Sequence, residues 1–387
     1  MPPLVSRRQF IGVCAALGLN ACFGSPPITN RFNGLVVIIG AGVAGISAAY
    51  LLKQLGIPFR VLEAAGVHGG RIKTSTDFVD FPIPLGAEWL HLDEQTLGKI
   101  VNDPSVDVTT RLASYRSNAS YGFYANSKLQ IEALGNYPDL KFVDGTWLTF
   151  FEQYLLPSIE AHIQFNTKVI EFDHSDQGVR VKDQNDQVYA ADAAIVTVPP
   201  QIIRDKDIRF VPPMPSRQRR AFETVDIWGG MKVSLQFDEK FYPTILETKG
   251  SNNRRGQKMF YDAAYGQSSA DHVLSLFSVG DQAKPYQRLN EESLRDQILA
   301  ELDEIFDSAA TRHYVKHISQ NWDTEPFIRQ AYVADSASWK LPPRMREPLG
   351  DRVFFAGDSY TDGEDWGSVH MAAQSAREAV QRLTIRV

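Results

Sequence analysis

The chain has 387 residues, room for roughly two or three domains. Its 43% hydrophobic and 22% charged residues are ordinary globular proportions, and the net charge of −6 leaves no basic face of the kind nucleic acid requires. Only two cysteines occur, Cys14 and Cys22, both ahead of the first fold-forming segment. The folded region therefore has no disulfide and no thiolate for a metal, a nucleophile or a covalent cofactor bond.

Residues 1–30 read as an export signal. Arg7 and Arg8 precede an apolar run, Phe10 to Leu19, too short to span a bilayer. The pattern resembles a twin-arginine signal. Leu19-Asn20-Ala21-Cys22 resembles a lipobox that would put a lipid anchor on Cys22, although Asn20 stands where a small apolar residue is usual. The expected location is the periplasm or, through Cys22, a membrane surface.

The next stretch organises the rest. Leu35 to Ile39 is an apolar run that predicts a strand buried on both faces. Gly40, Gly42 and Gly45 follow in G-x-G-x-x-G spacing. They serve a tight turn, the approach of a diphosphate and close helix packing. The helix is predicted over Val43 to Leu55, ended by Gly56, and its N-terminus favours a phosphate. A second strand, Phe59 to Leu62, leads to Glu63, an acid 18 residues past Gly45 that suits ribose hydroxyls. Together these predict a dinucleotide site. There is no second such fingerprint, so a flavin here would draw electrons from an organic substrate.

Further along, Thr146 to Ile163 is predicted helical, with Pro157 inside it. Short strands at Val169 to Phe172, Val179 to Lys182 and Gln187 to Ala190 form a meander expected to extend the dinucleotide sheet, with a buried strand at Ala194 to Val198. Residues 96–145 show little period. Met231, Val233, Leu235 and Phe237 alternate with Lys232, Ser234 and Gln236, a period of two that predicts a strand; by pattern alone a lysine on such a polar face is ordinarily solvated. Val273 to Val279 is a strand, and Glu291 to Phe306 an amphipathic helix capped by Asn290. A strand at Arg352 to Gly357 and a helix from Gly367 to Leu383 close the chain. The eight histidines show no metal-binding spacing, so no metal site is expected.

Four separated segments resemble the flavin-containing amine oxidases: monoamine, polyamine and L-amino-acid oxidases and their bacterial relatives. They are Gly40 to Glu63 with Gly69-Gly70-Arg71; Leu85-Gly86-Ala87-Glu88-Trp89; Asn166 to Pro199; and Phe354 to Ala379, which holds Gly357-Asp358 and Trp366-Gly367-Ser368-Val369. The resemblance implies an α/β protein with a Rossmann-type, glutathione-reductase-like FAD domain and a mixed-sheet α+β substrate domain. The FAD domain would comprise residues 31–95, 162–210 and 325–387, and the substrate domain 96–161 and 211–324.

On that resemblance, Gly40, Gly42, Ala44, Gly45, Gly70 and Arg71 meet the FAD pyrophosphate. Glu63 meets the ribose, and the backbone of Val169 the adenine. Gly86, Ala87, Glu88, Trp89, Gly357, Asp358, Trp366, Gly367, Ser368 and Val369 line the rest of the cofactor. Lys232 matches a lysine that holds a water against flavin N5. Tyr332 matches one wall of an aromatic sandwich that aligns the amine, with Trp322 nearby. Ala331 stands where monoamine oxidases carry a cysteine bound to FAD, which implies non-covalent FAD. Ser368 replaces the tyrosine of the second wall. Trp89 stands where amino-acid oxidases place a carboxylate-binding arginine, which favours an amine, with His91, Asp93 and Glu94 close by in sequence. The implied reaction is oxidation of an amine with dioxygen as acceptor. The alternatives are an amino-acid oxidase, a desaturase, a porphyrinogen oxidase, or an exported flavin-binding protein without turnover.

Overall fold

The apolar run after Gly34 becomes the central strand Val36–Ile39, buried at every residue. The structure, a computed structural model, describes residues 31–334, 339–361 and 367–385; the leader with Arg7, Arg8 and Cys22 lies outside the described residues, as does Trp366. Phe59–Leu62 and Ala193–Val196 pair in parallel on either side of the central strand. Ile163–Gln164 and Val353–Phe355 complete a five-stranded parallel sheet.

One face of this sheet, with Val36, Ile38, Val61 and Ile195, packs under the helices Val43–Gln54 and Val369–Ile385. The other, with Val37, Ile39, Ala194 and Phe355, packs against Phe172, Val181 and Phe210 of a four-stranded sheet. Coverage on both faces is why the strands read as unbroken apolar runs. The meander does not extend the parallel sheet. It forms a separate layer because its apolar residues meet the parallel sheet face to face, not edge to edge.

The predicted helix from Thr146 is cut short. It runs Trp147–Tyr154, capped by Thr146 and Thr149 in a reciprocal box. Pro157 then falls in a short 3-10 turn, and Ile163–Gln164 leaves as an edge strand. Proline has no N–H to give an interior helical bond, and its ring clashes with the preceding turn. Trp147, Phe150 and Phe151 of this helix are buried in the parallel-sheet core, although the sequence reading groups them with the substrate unit.

The second layer system is an eight-stranded sheet. Gly230–Phe237 lies antiparallel between His272–Gly280 and Tyr314–Asn321. Met231, Val233, Leu235 and Phe237 pack on the helix Glu291–Ile305, whose N-cap Asn290 accepts the Ser293 N–H at 2.8 Å. The opposite face is buried as well: Lys232 and Ser234 are 3% and 1% exposed. Phe78, Phe81, Ile83 and Leu85 cover that face together with Tyr261 and Val273. Residues 96–145 supply a helix, Gln95–Val101, and a hairpin, Ser120–Ala125 with Lys128–Ala133, that adds to the large sheet. No helix among the described residues is long and apolar enough to cross a membrane.

Leu302, fully buried under the large sheet, tests this packing. Leu302→Ala is expected to cost about 2–5 kcal/mol, read as a lower urea midpoint at unchanged m-value.

Candidate cofactor and amine site

The glycine turn is an open cradle. Gly40 has φ +105°, a conformation other residues resist. A Cβ on Gly45 would lie 1.9 Å from the Gly40 carbonyl oxygen, so helix and strand can close only around glycine here. A Cβ on Gly42 would meet nothing within 4 Å. The helix that starts at Val43 has neither a side-chain cap nor an acid in its first turn. Its free N–H groups face an open, anion-favouring space. Glu63 closes one side, accepting the N–H groups of Ala41 at 2.5 Å and Ala65 at 2.8 Å. Burial pushes its carboxyl up, opposed by those backbone bonds. Ala44 is buried behind the turn, and Val169 starts a strand of the adjoining layer. These features fit a dinucleotide: backbone donors, a carboxylate and, among the described residues, no atom within 4 Å of a Cβ placed on Gly42.

Arg71 links the cradle to the end of the chain. Its guanidinium grips Asp358 through both nitrogens, one of them at 3.0 Å from Oδ2, and also donates to the Ala331 carbonyl. Gly70 sits beside Gly42: its Cβ would lie 3.3 Å from the Gly42 Cα. Gly357 donates its N–H to Ser375 Oγ at 3.2 Å. Gly367 has φ +78°, and a Cβ there would lie 2.9 Å from Cγ of Tyr332. Ser368, near His370 Nε2 at 3.4 Å, and Val369 are buried at the start of the last helix. Arg71, Ala331, Tyr332, Asp358 and Gly367 thus form one cluster from three distant segments.

A second cluster joins it at Gly86. A Cβ on Gly86 would lie 1.8 Å from the Arg71 carbonyl oxygen and 3.0 Å from the Trp322 ring. Ala87 donates to that same carbonyl at 3.1 Å, and Trp322 Nε1 donates to the Leu85 carbonyl at 3.1 Å. The Gly86 carbonyl accepts Lys232 Nζ at 3.0 Å. Lys232 also pairs with Glu88 Oε2 at 2.7 Å, and Lys141 pairs with Glu88 Oε1 at 3.2 Å. The Tyr261 hydroxyl donates to Glu88 as well. Burial alone would raise the Glu88 carboxyl, but the two lysines outweigh it and hold it below its ordinary value. Burial lowers the Lys232 ammonium, partly offset by Glu88.

Trp89 extends this cluster. Its Nε1 donates to the Tyr115 hydroxyl at 3.0 Å, and its ring meets Tyr261 edge-on at 4.7 Å. Tyr115 stacks on Tyr265 at 4.8 Å and touches Tyr137. His91 turns aside to Asp139 at 3.0 Å, while Asp93 and Glu94 are exposed. Sequence reasoning missed Lys141, Tyr115 and Tyr261. Their only local signal is a lysine in a three-residue strand, a tyrosine just past another and a tyrosine within Gly256–Asp262, which fits many surfaces equally well.

Cradle, arginine clasp and buried lysine define a class: a dinucleotide-dependent oxidoreductase on a Rossmann-type sheet. The chain belongs to the flavin containing amine oxidoreductase family, whose model matches residues 151–384; residues 38–103 match an NAD(P)-binding Rossmann-like domain. It is therefore an FAD-dependent enzyme acting on C–N bonds of amines. Probable polyamine oxidase 4 of Arabidopsis thaliana is 23% identical, over 91% of this chain and 88% of that protein. Lysine-specific histone demethylase 2 of Homo sapiens is also 23% identical, over 84% of this chain and 50% of that protein. A structure of wild-type putrescine oxidase bound to putrescine matches with a TM-score of 0.76 at 15% identity, covering 92% of this chain and 100% of that one.

The cradle can be tested without disturbing the fold. Gly42→Ala adds a methyl group that meets no protein atom within 4 Å. Thermal stability of the flavin-free protein is expected to be unchanged, while FAD affinity by fluorescence titration falls about tenfold or more. Gly45→Ala, with its clash at the Gly40 carbonyl, is expected to lower the stability of the flavin-free protein itself.

Proposed function

We propose that this enzyme oxidises a di- or polyamine, with FAD held non-covalently and dioxygen as the electron acceptor. The observation that carries the reading is the seam at Gly86, where the dinucleotide cradle and the buried Lys232 cluster share one loop. Bound FAD would supply a hydride acceptor for the carbon next to nitrogen and pass two electrons to dioxygen, giving hydrogen peroxide. The imine so formed hydrolyses to a carbonyl compound and an amine or ammonia.

The chain's own groups have these parts in the proposal. The helix N-terminus at Val43 and Arg71 hold the diphosphate, and Glu63 the ribose. The Ala331 side chain offers no sulfur for a covalent bond, which supports non-covalent FAD. Lys232 spends two of its three N–H groups, on Gly86 and Glu88. Its third has no protein partner among the described residues and is available to a water. Trp89, Tyr115 and Tyr332 supply apolar faces that keep the amine dry. Trp89 spends its only N–H on Tyr115, so it offers nothing to a substrate carboxylate, which supports an amine over an amino acid. Asp139, already paired with His91 at 3.0 Å, lies near this aromatic group: burial raises the Tyr115 phenol against the Trp89 hydrogen bond, and Glu88 and then Asp139 add to the rise. A carboxylate there suits a second ammonium, in keeping with relatives named for polyamine and putrescine oxidation.

The test is anaerobic bleaching of the flavin absorbance by a panel of monoamines, putrescine, longer polyamines, amino acids and polyenes. Diamines or polyamines are expected to bleach it fastest; bleaching by amino acids alone overturns the reading. A folded yellow protein that no amine bleaches would be a flavin-binding protein without turnover. Asp139→Asn is expected to raise KM for diamines about tenfold, with little change for monoamines. An ammonium has no lone pair to support loss of hydride from its neighbouring carbon, so the neutral amine reacts. The rate is accordingly expected to rise with pH through the bound amine's pKa, as measured by stopped-flow reduction across a pH series.

The export reading rests on Arg7, Arg8 and Cys22. If Cys22 carries a lipid, Cys22→Ser is expected to move the protein from the membrane fraction to the soluble one.

A further inference from the structure

The buried cluster holds more charge than one lysine beside a flavin calls for. Lys232, Glu88 and Lys141 are 3%, 5% and 2% exposed. Two ammonium groups share one carboxylate, one on each oxygen, at 2.7 and 3.2 Å, a net charge of +1. Lys141 is further fixed by the carbonyls of Asp262 at 3.2 Å and Ala263 at 2.8 Å. Tyr261 closes the group, bonding Glu88 and lying beneath both ammonium groups at 5.5 and 5.6 Å from its ring centre. Two charges would suffice for a neutral pair. A third ion in dry protein carries a desolvation cost of several kcal/mol, and packing alone gives no reason to bear it.

We propose that Glu88 is the positioning residue for Lys232, and that Lys141 is a counter-cation that keeps the cluster positive toward the flavin ring. This rests on the reading of the cradle as an FAD site. Glu88 occupies one N–H of Lys232 and the Gly86 carbonyl another, so the third points in a set direction. Without Lys141, the carboxylate would cancel the lysine's charge. With it, the cluster offers positive charge where a reduced ring or an anionic adduct would be stabilised, and in a low-dielectric setting that charge is felt strongly.

Charge and tether can be varied separately. Lys141→Met leaves a neutral Lys232–Glu88 pair. The double variant Glu88→Gln with Lys141→Met restores one positive charge but removes the ionic tether. Glu88→Gln alone leaves two buried ammonium groups uncompensated and is avoided, because it is expected to fold poorly.

The readouts are the dissociation constant of sulfite, an anion that bleaches flavin where positive charge lies near the ring, and the flavin potential by dye equilibration. Neither depends on turnover. For Lys141→Met, sulfite binding is expected to weaken about tenfold and the potential to fall. For the double variant, both are expected to return close to wild type, while amine-driven reduction stays slow because Lys232 is no longer held. If both variants bind sulfite and turn over as wild type does, the cluster is structural and the proposal is overturned, while the FAD reading stands. A folded wild type that takes up no flavin overturns both.

Discussion

One carboxylate between two ammonium groups, out of reach of water, is the constraint around which the site is arranged. Glu88, Lys232 and Lys141 come from a loop and two strands of different sheets. Each of the three has a charged partner in that place, and both lysines have a carbonyl partner besides. Removing one partner from such a group costs about 3–5 kcal/mol, because the charge left behind stays buried. The direction of the Glu88 shift shows which effect wins: attraction from two lysines exceeds the burial penalty. Through Lys232 the cluster ties the loop Leu85–Trp89 to the large sheet, next to the point where Gly86 meets Arg71.

Gly86 is where two architectures touch. On one side its backbone lies against the Arg71 carbonyl, and on the other its own carbonyl takes Lys232. Arg71 in turn reaches Asp358 and the Ala331 carbonyl, which belong to the last strand-and-helix unit and the loop after the large sheet. A displacement of the large sheet would thus reach the guanidinium through a chain of only a few bonds. The same short path explains why residues scattered from Gly40 to Val369 can serve one cofactor.

How much of this was legible follows from distance along the chain. The dinucleotide unit is local. Apolar runs, glycine spacing and a carboxylate within a few dozen residues state its geometry directly, and the strands and helix fall within a residue or two of expectation. The burial of the polar face of Gly230–Phe237 is not legible in the strand itself, because alternation shows that two faces differ, not what covers each. Lys232 meets Glu88 across 144 residues of sequence, and Tyr261 meets it across 173. Lys141 sits between Leu140 and Phe142 in a strand of three residues, too short to show a period. The helix from Thr146 was overextended because Phe150, Tyr154 and Ile159 keep apolar spacing across Pro157, where the backbone cannot continue.

The contact between Tyr332 and the start of the last helix is sterically tight. Tyr332 lies so close to the backbone of Gly367 that a Cβ there would come within 2.9 Å of its ring. The positive φ of Gly367 points the same way. A chain that presses its tyrosine ring onto the peptide at 367 needs glycine there. The ring also meets Trp228, 6.1 Å away. A larger aromatic group gathers around Trp89, where Tyr115 packs against both Tyr137 and Tyr265. Trp89 directly follows Glu88, so this aromatic group and the ionic tether of Lys232 sit on the same short loop.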